Sequence, residues 1–309
     1  MRRVFIRAQC SQRCRQGRPQ CGRARATGTI ARMTRLPLAQ VTLCAVDTQS
    51  PALAAQSLLR SMHRIDFARV FLFTHDWLPT VVLPGIEIID VGPLRSAQEL
   101  SAFVMRQLPQ FIRSSHVLLT QWDGFVTHPQ AWNDEFLVYD YAGAMWPDEA
   151  EAQAVGDVGF SLRSRRFLAA GMDPRITQTH PDDVVLCRTH RRFVEQTHGV
   201  IFAPPALARR FAVGESGAAD SSFGFRGAQH LPAVLPEVEL SRWLDELPPT
   251  FFSGLAAPRL LRSLLASRMP VAAAKLLARR KAAGGDDAEL PLLSAATRLL
   301  GALSPAARR

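Results

Sequence analysis

The chain of 309 residues reads as an α/β protein: a mixed, mostly parallel, Rossmann-like sheet flanked by helices, with a short helical appendage at the C-terminus. Two observations predict this. From Val41 onward, short apolar runs alternate with helix-period segments at the pitch of βαβ units. From Ala257 onward the composition turns to Ala, Leu and Arg, broken at Pro270 and at Gly284-Gly285, as in two or three short amphipathic helices. The length allows one large domain with a substantial core. The expected division is a basic arm over 1–36, an α/β domain over 37–256 and a helical appendage over 257–309.

Val41–Val46 is the first expected strand, ending at Asp47. Pro51–His63 follows as a helix with Leu53, Leu58 and Leu59 on one side. Arg69–Thr74 and Ile86–Val91 are further strands. Ala97–Ile112 is a helix in which Leu100, Phe103, Leu108 and Phe111 recur at helical spacing. His116–Gln121 is an apolar run that stops at Trp122, Asp123 and Gly124, so it reads as a strand running into a loop. In open α/β sheets that edge borders the ligand crevice. Pro129–Tyr141 carries Trp132, Phe136 and Tyr139. Gly159–Leu162 resumes an extended segment, and Ser164–Ala170 turns helical. Pro181–Thr197 is expected as a helix with Asp182 and Asp183 in its first turn, near the positive end of the helix dipole. Val200–Ala203 is a last short strand, and 213–229 reads as loop.

Net charge is +10, but it is unevenly spread. Residues 1–35 hold ten arginines and no acid, whereas 36–256 carry 17 basic and 24 acidic residues. A nucleic-acid-binding core is thereby excluded, since such affinity depends on many phosphate contacts. The arm has the Arg-rich, acid-poor look of a transit peptide, but lacks an apolar face. A start at Met33, or disorder, is the favoured reading. No run of about 20 apolar residues suits a membrane span, so a cytoplasmic protein is expected. For the basic C-terminal helices, docking on the main domain is the first expectation; a partner helix or peripheral contact with an anionic membrane are the others. Cys10, Cys14 and Cys21 fit no common zinc spacing, and Cys44 and Cys187 fall on apolar elements as buried thiols do.

Four short motifs stand in order: Q-W-D-G at 121–124, G-F-S-L-R-S at 159–164, H-P-D-D at 180–183 and F-G-F-R-G at 223–227. Each has a bland reading. Asp182 and Asp183 can cap a helix, Phe160 and Leu162 can be core, Arg163 and Arg165 can be solvated, and Phe223 and Phe225 can alternate along a half-buried strand.

Together, the four resemble a domain family of unknown function whose members carry Q-W-D-G-F, V-G-N-G-G-F-S-L-R-S, H-P-E-D and F-G-F-H-G in this order. V-T-L-C-A-V-D-T at 41–48 and R-V-F-L-F-T at 69–74 are similar to it as well. The resemblance spans about 38–230. That family in turn resembles GT-A glycosyltransferases, with an acceptor side like that of beta-1,4-galactosyltransferase-type enzymes. The resemblance implies a GT-A-like domain and inverting transfer from a nucleotide sugar to a glycan or glycolipid acceptor. It implies Asp183 as catalytic base with Asp182 beside it. Donor contacts fall on Asp47, Gln121, Trp122, Asp123 and Arg226, and acceptor contacts on Phe160, Ser161, Arg163 and His180. Asp123 is the implied ligand of Mn²⁺ or Mg²⁺, a hard cation suited to carboxylate oxygen.

Two departures bear on this. Val158 stands where the family has glycine, making any left-handed backbone there costly. Arg226 stands where the family has histidine, and guanidinium offers no lone pair to a metal. A metal-independent enzyme with Arg226 on the diphosphate is therefore an alternative. A second is a non-catalytic carbohydrate- or nucleotide-binding protein that kept the fold.

Overall fold

The apolar runs of the first half assemble into one sheet in the computed structural model, which describes residues 35–147, 149–150, 153–214, 221–285, 295 and 297. The expected arm before Arg35 and most of the chain after Gly285 lie outside these residues. Strand β1, Leu36–Val46, begins earlier than its apolar core suggests. Its side chains alternate: Leu43 and Ala45 face one layer, while Cys44 and Val46 face the other. Helix α1, Pro51–Ser61, starts with proline at its first position, where the missing N–H costs nothing. Strands β2, Ile65–Thr74, and β3, Glu87–Asp90, follow. Helix α2, Ala97–Arg106, is capped by the Ser96 hydroxyl, which accepts the Glu99 N–H at 3.2 Å. It stops short of Ile112 because Pro109 lies in the next turn.

Strand β4, His116–Thr120, is entirely buried, as a central strand should be. β5 is Gly124–Val126, β6 Tyr141–Met145 and β7 Val155–Ser164. The main sheet has the order β3-β2-β1-β4-β7-β6. The first four strands are parallel, and β7 runs antiparallel to both its neighbours. The fold class is thus the expected one, α/β with a mixed, mostly parallel sheet flanked by helices. α1 covers one face with Leu58, and α2 the other with Phe103 and Val104.

Helix α3, Arg165–Gly171, is capped by the Ser164 hydroxyl. The helix expected over 181–197 is interrupted. A single turn α4, Asp182–Val184, runs into a π-helical turn over Val185–Thr189, and α5, Arg191–His198, follows. The break lets Cys187 pack against Gly156 of β7. The strand expected at Val200–Ala203 is reduced to one bridge, Tyr141 to Phe202. After α6, Pro205–Phe211, the stretch expected as loop holds β8, Ala212–Val213, and β9, Gly224–Arg226. These join β5 in a second, three-stranded sheet of order β5-β9-β8.

Helices α7 Leu231–Val234, α8 Glu237–Glu246, α9 Pro249–Ser253, α10 Ala256–Ala266 and α11 Pro270–Ala282 form one layer. Its core, including Trp243, Leu260 and Leu276, encloses Phe125 and Phe225 of the small sheet. The layer is thus docked on the α/β domain and is continuous across residue 257. Trp243 Nε1 donates to Gln56 Oε1 at 2.7 Å, and the Ser50 hydroxyl to the Glu246 carbonyl at 3.2 Å, tying it to α1. Three of its cations are used internally. Lys275 and Arg279 pair with Asp245, and the buried Arg280 donates to the carbonyls of Phe252 and Gly254. No helix among the described residues is long and apolar enough to cross a membrane.

Candidate active site

The C-terminal edge of the parallel strands gathers the acids. β1 ends at Asp47, whose carboxylate accepts the N–H groups of Gln49 and Ser50 at 2.8 and 2.7 Å. Burial pushes this carboxyl above its ordinary range, and those two bonds oppose the shift. β4 ends at Thr120, and Gln121, Trp122 and Asp123 follow, each half-buried. Burial also raises the Asp123 carboxyl; Arg226 opposes the shift and Asp47 adds to it. Asp123, Asp47 and Arg226 therefore share one electrostatic neighbourhood. The Trp122 carbonyl accepts the Ser57 hydroxyl at 2.7 Å, and its ring meets Phe251 of α9 edge-on at 5.4 Å. The helical layer thus helps to fix one wall of the site.

Because β7 is antiparallel, its first half returns to this same edge. Asp157 there is buried and holds Arg226 Nε at 2.9 Å. Arg226 reaches it by crossing Gly159, where a Cβ would lie 2.3 Å from Arg226 Cγ. The glycine of G-F-S-L-R-S is thus required by close approach of an arginine. Val158 lies in extended strand, outside the left-handed region, and packs on the α2 side of the sheet. The backbone penalty expected for it does not arise.

The acidic pair divides by environment. Asp182 is buried, and its Oδ2 accepts Arg163 Nη2 at 3.0 Å; Arg163 is itself only 2% exposed. Ser101 donates to Asp182 Oδ1 at 3.3 Å and lies 3.0 Å from His180 Nδ1. Asp183 is half-buried, accepts the Val184 N–H at 2.8 Å, and is pushed up to about 6. Burial is the main cause, followed by the Asp182 charge; Asp157 adds to it. Asp157 thereby links the two halves of the site.

Three expected acceptor contacts need correction. Phe160 and Ser161 have no exposed surface, and Arg163 next to none. Phe160 packs against Phe211 and Phe223 in the core. Ser161 accepts Arg163 Nε at 3.0 Å, and Arg163 is committed to Asp182. None of the three presents a face to a ligand. The solvated reading of Arg163 fails as well. Of the four, His180 alone remains half-exposed, below Asp182. Phe223 and Phe225 are both buried, in separate clusters. Asp157, not expected as a site residue, was marked only by being an acid inside an apolar strand.

The implied divalent cation does not fit this donor set. Arg226 occupies the histidine position and sets a positive charge beside Asp123, while Asp157 is engaged by that arginine. Among the described residues no three His, Cys, Asp or Glu side chains converge on a point that could hold a metal. An open cleft of about 760 Å³, lined by Gln56, Arg60, His63, Phe125, His128 and Glu239 among others, lies between α1, β5 and α8 and includes none of these acids.

Residues 85–225 match the family described as protein of unknown function (DUF5672). The span takes in Asp123, Asp157, Asp182 and Asp183, and Arg226 follows it directly. No curated protein matches the chain. Among solved structures, it is similar to the apo-form glycosyltransferase GlyE of Streptococcus pneumoniae TIGR4, at 12% identity and TM-score 0.32, over 52% of this chain and 44% of that one. The chain thus spans less than half the length of GlyE. It is also similar to an active-site mutant of LgtC, at 11% identity and TM-score 0.38, over 68% of this chain and 98% of that one. A glycosyltransferase involved in glycosylation of the major capsid of PBCV-1 aligns at 10% identity and TM-score 0.33, over 60% and 93%.

Proposed function

We propose that this protein is an inverting glycosyltransferase that uses a nucleotide-sugar donor and a glycan or glycolipid acceptor. The observation that carries the reading is the division of labour within Asp182–Asp183. One carboxylate is buried and ion-paired, whereas its neighbour is accessible and poised near pH 6. A general base needs both accessibility and a pKa near the working pH. In the proposed step the acceptor hydroxyl attacks the anomeric carbon while Asp183 takes its proton. The bond to the diphosphate breaks, and the leaving nucleoside diphosphate keeps the electron pair. Arg226 stabilises the charge that develops there, as a fixed, always-ionised donor can. Asp47 and Asp123, on the same sheet edge, meet the nucleoside.

A second reading, a non-catalytic sugar- or nucleotide-binding protein, draws on the Arg226–Asp157 pair, which holds the guanidinium in the site without any ligand. Calorimetric titration with a panel of nucleotide sugars, uridine diphosphate sugars first, together with donor-hydrolysis measurements, separates the two. Binding with turnover is expected. Binding without turnover for any donor–acceptor pair favours the second reading, and no binding at millimolar ligand removes both.

A further inference from the structure

The open cleft of about 760 Å³ beside α1 takes no part in the chemistry proposed for the acidic edge. Its volume falls within the range of about 300–1,000 Å³ common to small-molecule sites. Helix α1 lines it with Gln56 and Arg60, α7 with Ala233, α8 with Glu239, and β5 with Phe125. Strand β5 carries the chain away from the acids: at about 3.3 Å per residue, Thr127 lies roughly 13 Å along it from Asp123. The polar groups of the lining are held by the protein itself. Gln56 Oε1 accepts Trp243 Nε1 at 2.7 Å, which leaves the Gln56 amide N–H groups to donate. Arg60 pairs with Glu239 and lies over the rings of Phe125 and Trp243, 5.5 and 5.9 Å from their centroids. His128 Nδ1 donates to the Ser222 carbonyl at 3.1 Å, so Nε2 of the neutral ring is an acceptor. Thr127 belongs to the same lining, and its buried Oγ1 has no hydrogen-bond partner, a deficit that native structures seldom leave unmet.

We propose that this cleft binds a neutral oligosaccharide, at a site separate from the acidic edge. Three observations select that class of ligand. The arginine of the lining is neutralised by Glu239, so a phosphate or carboxylate ligand finds no net attraction there. Donors and acceptors are interleaved around the cleft, which suits sugar hydroxyls, each of them both donor and acceptor. Leu59, Val126 and Val234 lie among these groups and supply apolar surface for the C–H faces of a pyranose ring. A fatty acyl chain would instead leave the polar groups without partners. Because the lining is fixed before a ligand arrives, little ordering opposes binding. The site does not rest on the transferase reading. It holds a glycan on this domain whether or not the acidic edge transfers sugar.

The test is saturation-transfer NMR and calorimetry on the full chain with neutral trisaccharides of glucose, galactose and N-acetylglucosamine. Each is compared with a trisaccharide in which one unit is a uronic acid. The wild type is expected to bind at least one neutral trisaccharide, and to bind it more tightly than its uronic counterpart. Ala233→Trp sets an indole into the cleft from an exposed position and should weaken binding roughly tenfold or more. Glu239→Gln frees Arg60 and should shift the preference toward the uronic ligand. No binding of any neutral trisaccharide at millimolar concentration overturns the proposal. So does a wild-type preference for the uronic ligands, or an Ala233→Trp variant that binds like wild type. Should Ala233→Trp fail to fold, Glu239→Gln decides, and an unchanged preference overturns the proposal. Uridine diphosphate binding on the same samples keeps the readings apart, since neither variant touches the acidic edge. Trisaccharide binding without nucleotide binding removes only the transferase. Nucleotide binding without trisaccharide binding removes only the glycan cleft.

Discussion

At Asp183 the neighbours set both properties that a base requires. Burial and the adjacent Asp182 raise its carboxyl to about 6, and half-burial leaves it reachable. A base works deprotonated, so turnover should rise as pH increases through about 6 and level off above it. Asp183→Asn should lower the rate by roughly 10²–10⁴ with donor affinity nearly unchanged. The same shift has a consequence for stability. The folded carboxyl binds its proton more tightly than the unfolded one, so ionisation opposes folding once pH passes the unfolded value, and fully so above about 6. Asp183→Asn should therefore melt at or above wild type at pH 8 and equal to it near pH 4. A variant that melts clearly lower at pH 8 would show that Asp183 is structural. Asp182 is different in kind, because removing its cation strands a buried charge. Arg163→Met should cost about 3–5 kcal/mol in urea unfolding, and Arg163→Met/Asp182→Leu should recover much of it. If the double variant is as unstable as the single one, the pair is not what holds the two elements together.

At the scale of elements, the close approach of β7 and β9 shapes the site. Gly159→Ala puts a methyl 2.3 Å from where Arg226 Cγ now lies. The arginine must leave Asp157, at a cost of about 1–3 kcal/mol for overpacking. Donor affinity should fall with it, and calorimetry beside denaturant unfolding checks both. Unchanged stability and affinity would mean that Arg226 finds an equivalent position. This contact also marks where sequence reading stops. The parallel strands and their helices were legible because long apolar runs alternate with helical periods. The small sheet was not, since three-residue strands such as Gly124–Val126 carry no period and read as loop. The break after Val184 was hidden because the spacing of Val185, Leu186 and Val194 suits a continuous helix, and only packing of Cys187 on β7 decides otherwise. Asp123 and the acidic pair could be found from motifs. Asp157 could not, because its importance comes from Arg226, more than 60 residues away. Phe160, Ser161 and Arg163 were misassigned because a motif does not reveal which way its residues point.

Across the whole molecule, charge is segregated. The acids of the sheet edge belong to a stretch, 36–256, with 24 acidic and 17 basic residues, while the surplus of cations lies at the two ends. Of the C-terminal cations, Lys275 and Arg279 are held by Asp245 and Arg280 by main-chain carbonyls, and before Arg35 the sequence holds nine arginines and no acid. Nucleotide recognition and the arm should therefore be independent. A nucleoside diphosphate at a hundred times its Kd stabilises the folded state by about 2.7 kcal/mol. For a domain of this size that amounts to a rise of about 5–11 °C in Tm. Uridine diphosphate should produce such a rise equally in the full chain and after deletion of residues 1–34. Arg226→Gln should reduce it sharply, because the diphosphate loses its fixed cation. The rise should persist in a chelator, since the donor set around Asp123 includes an arginine where a metal ligand would be needed. A shift seen only with Mn²⁺ would restore the divalent cation and assign it to Asp47 and Asp123. No shift with any nucleoside diphosphate, with or without Mn²⁺, would leave the acidic edge without a donor and the fold without the proposed chemistry.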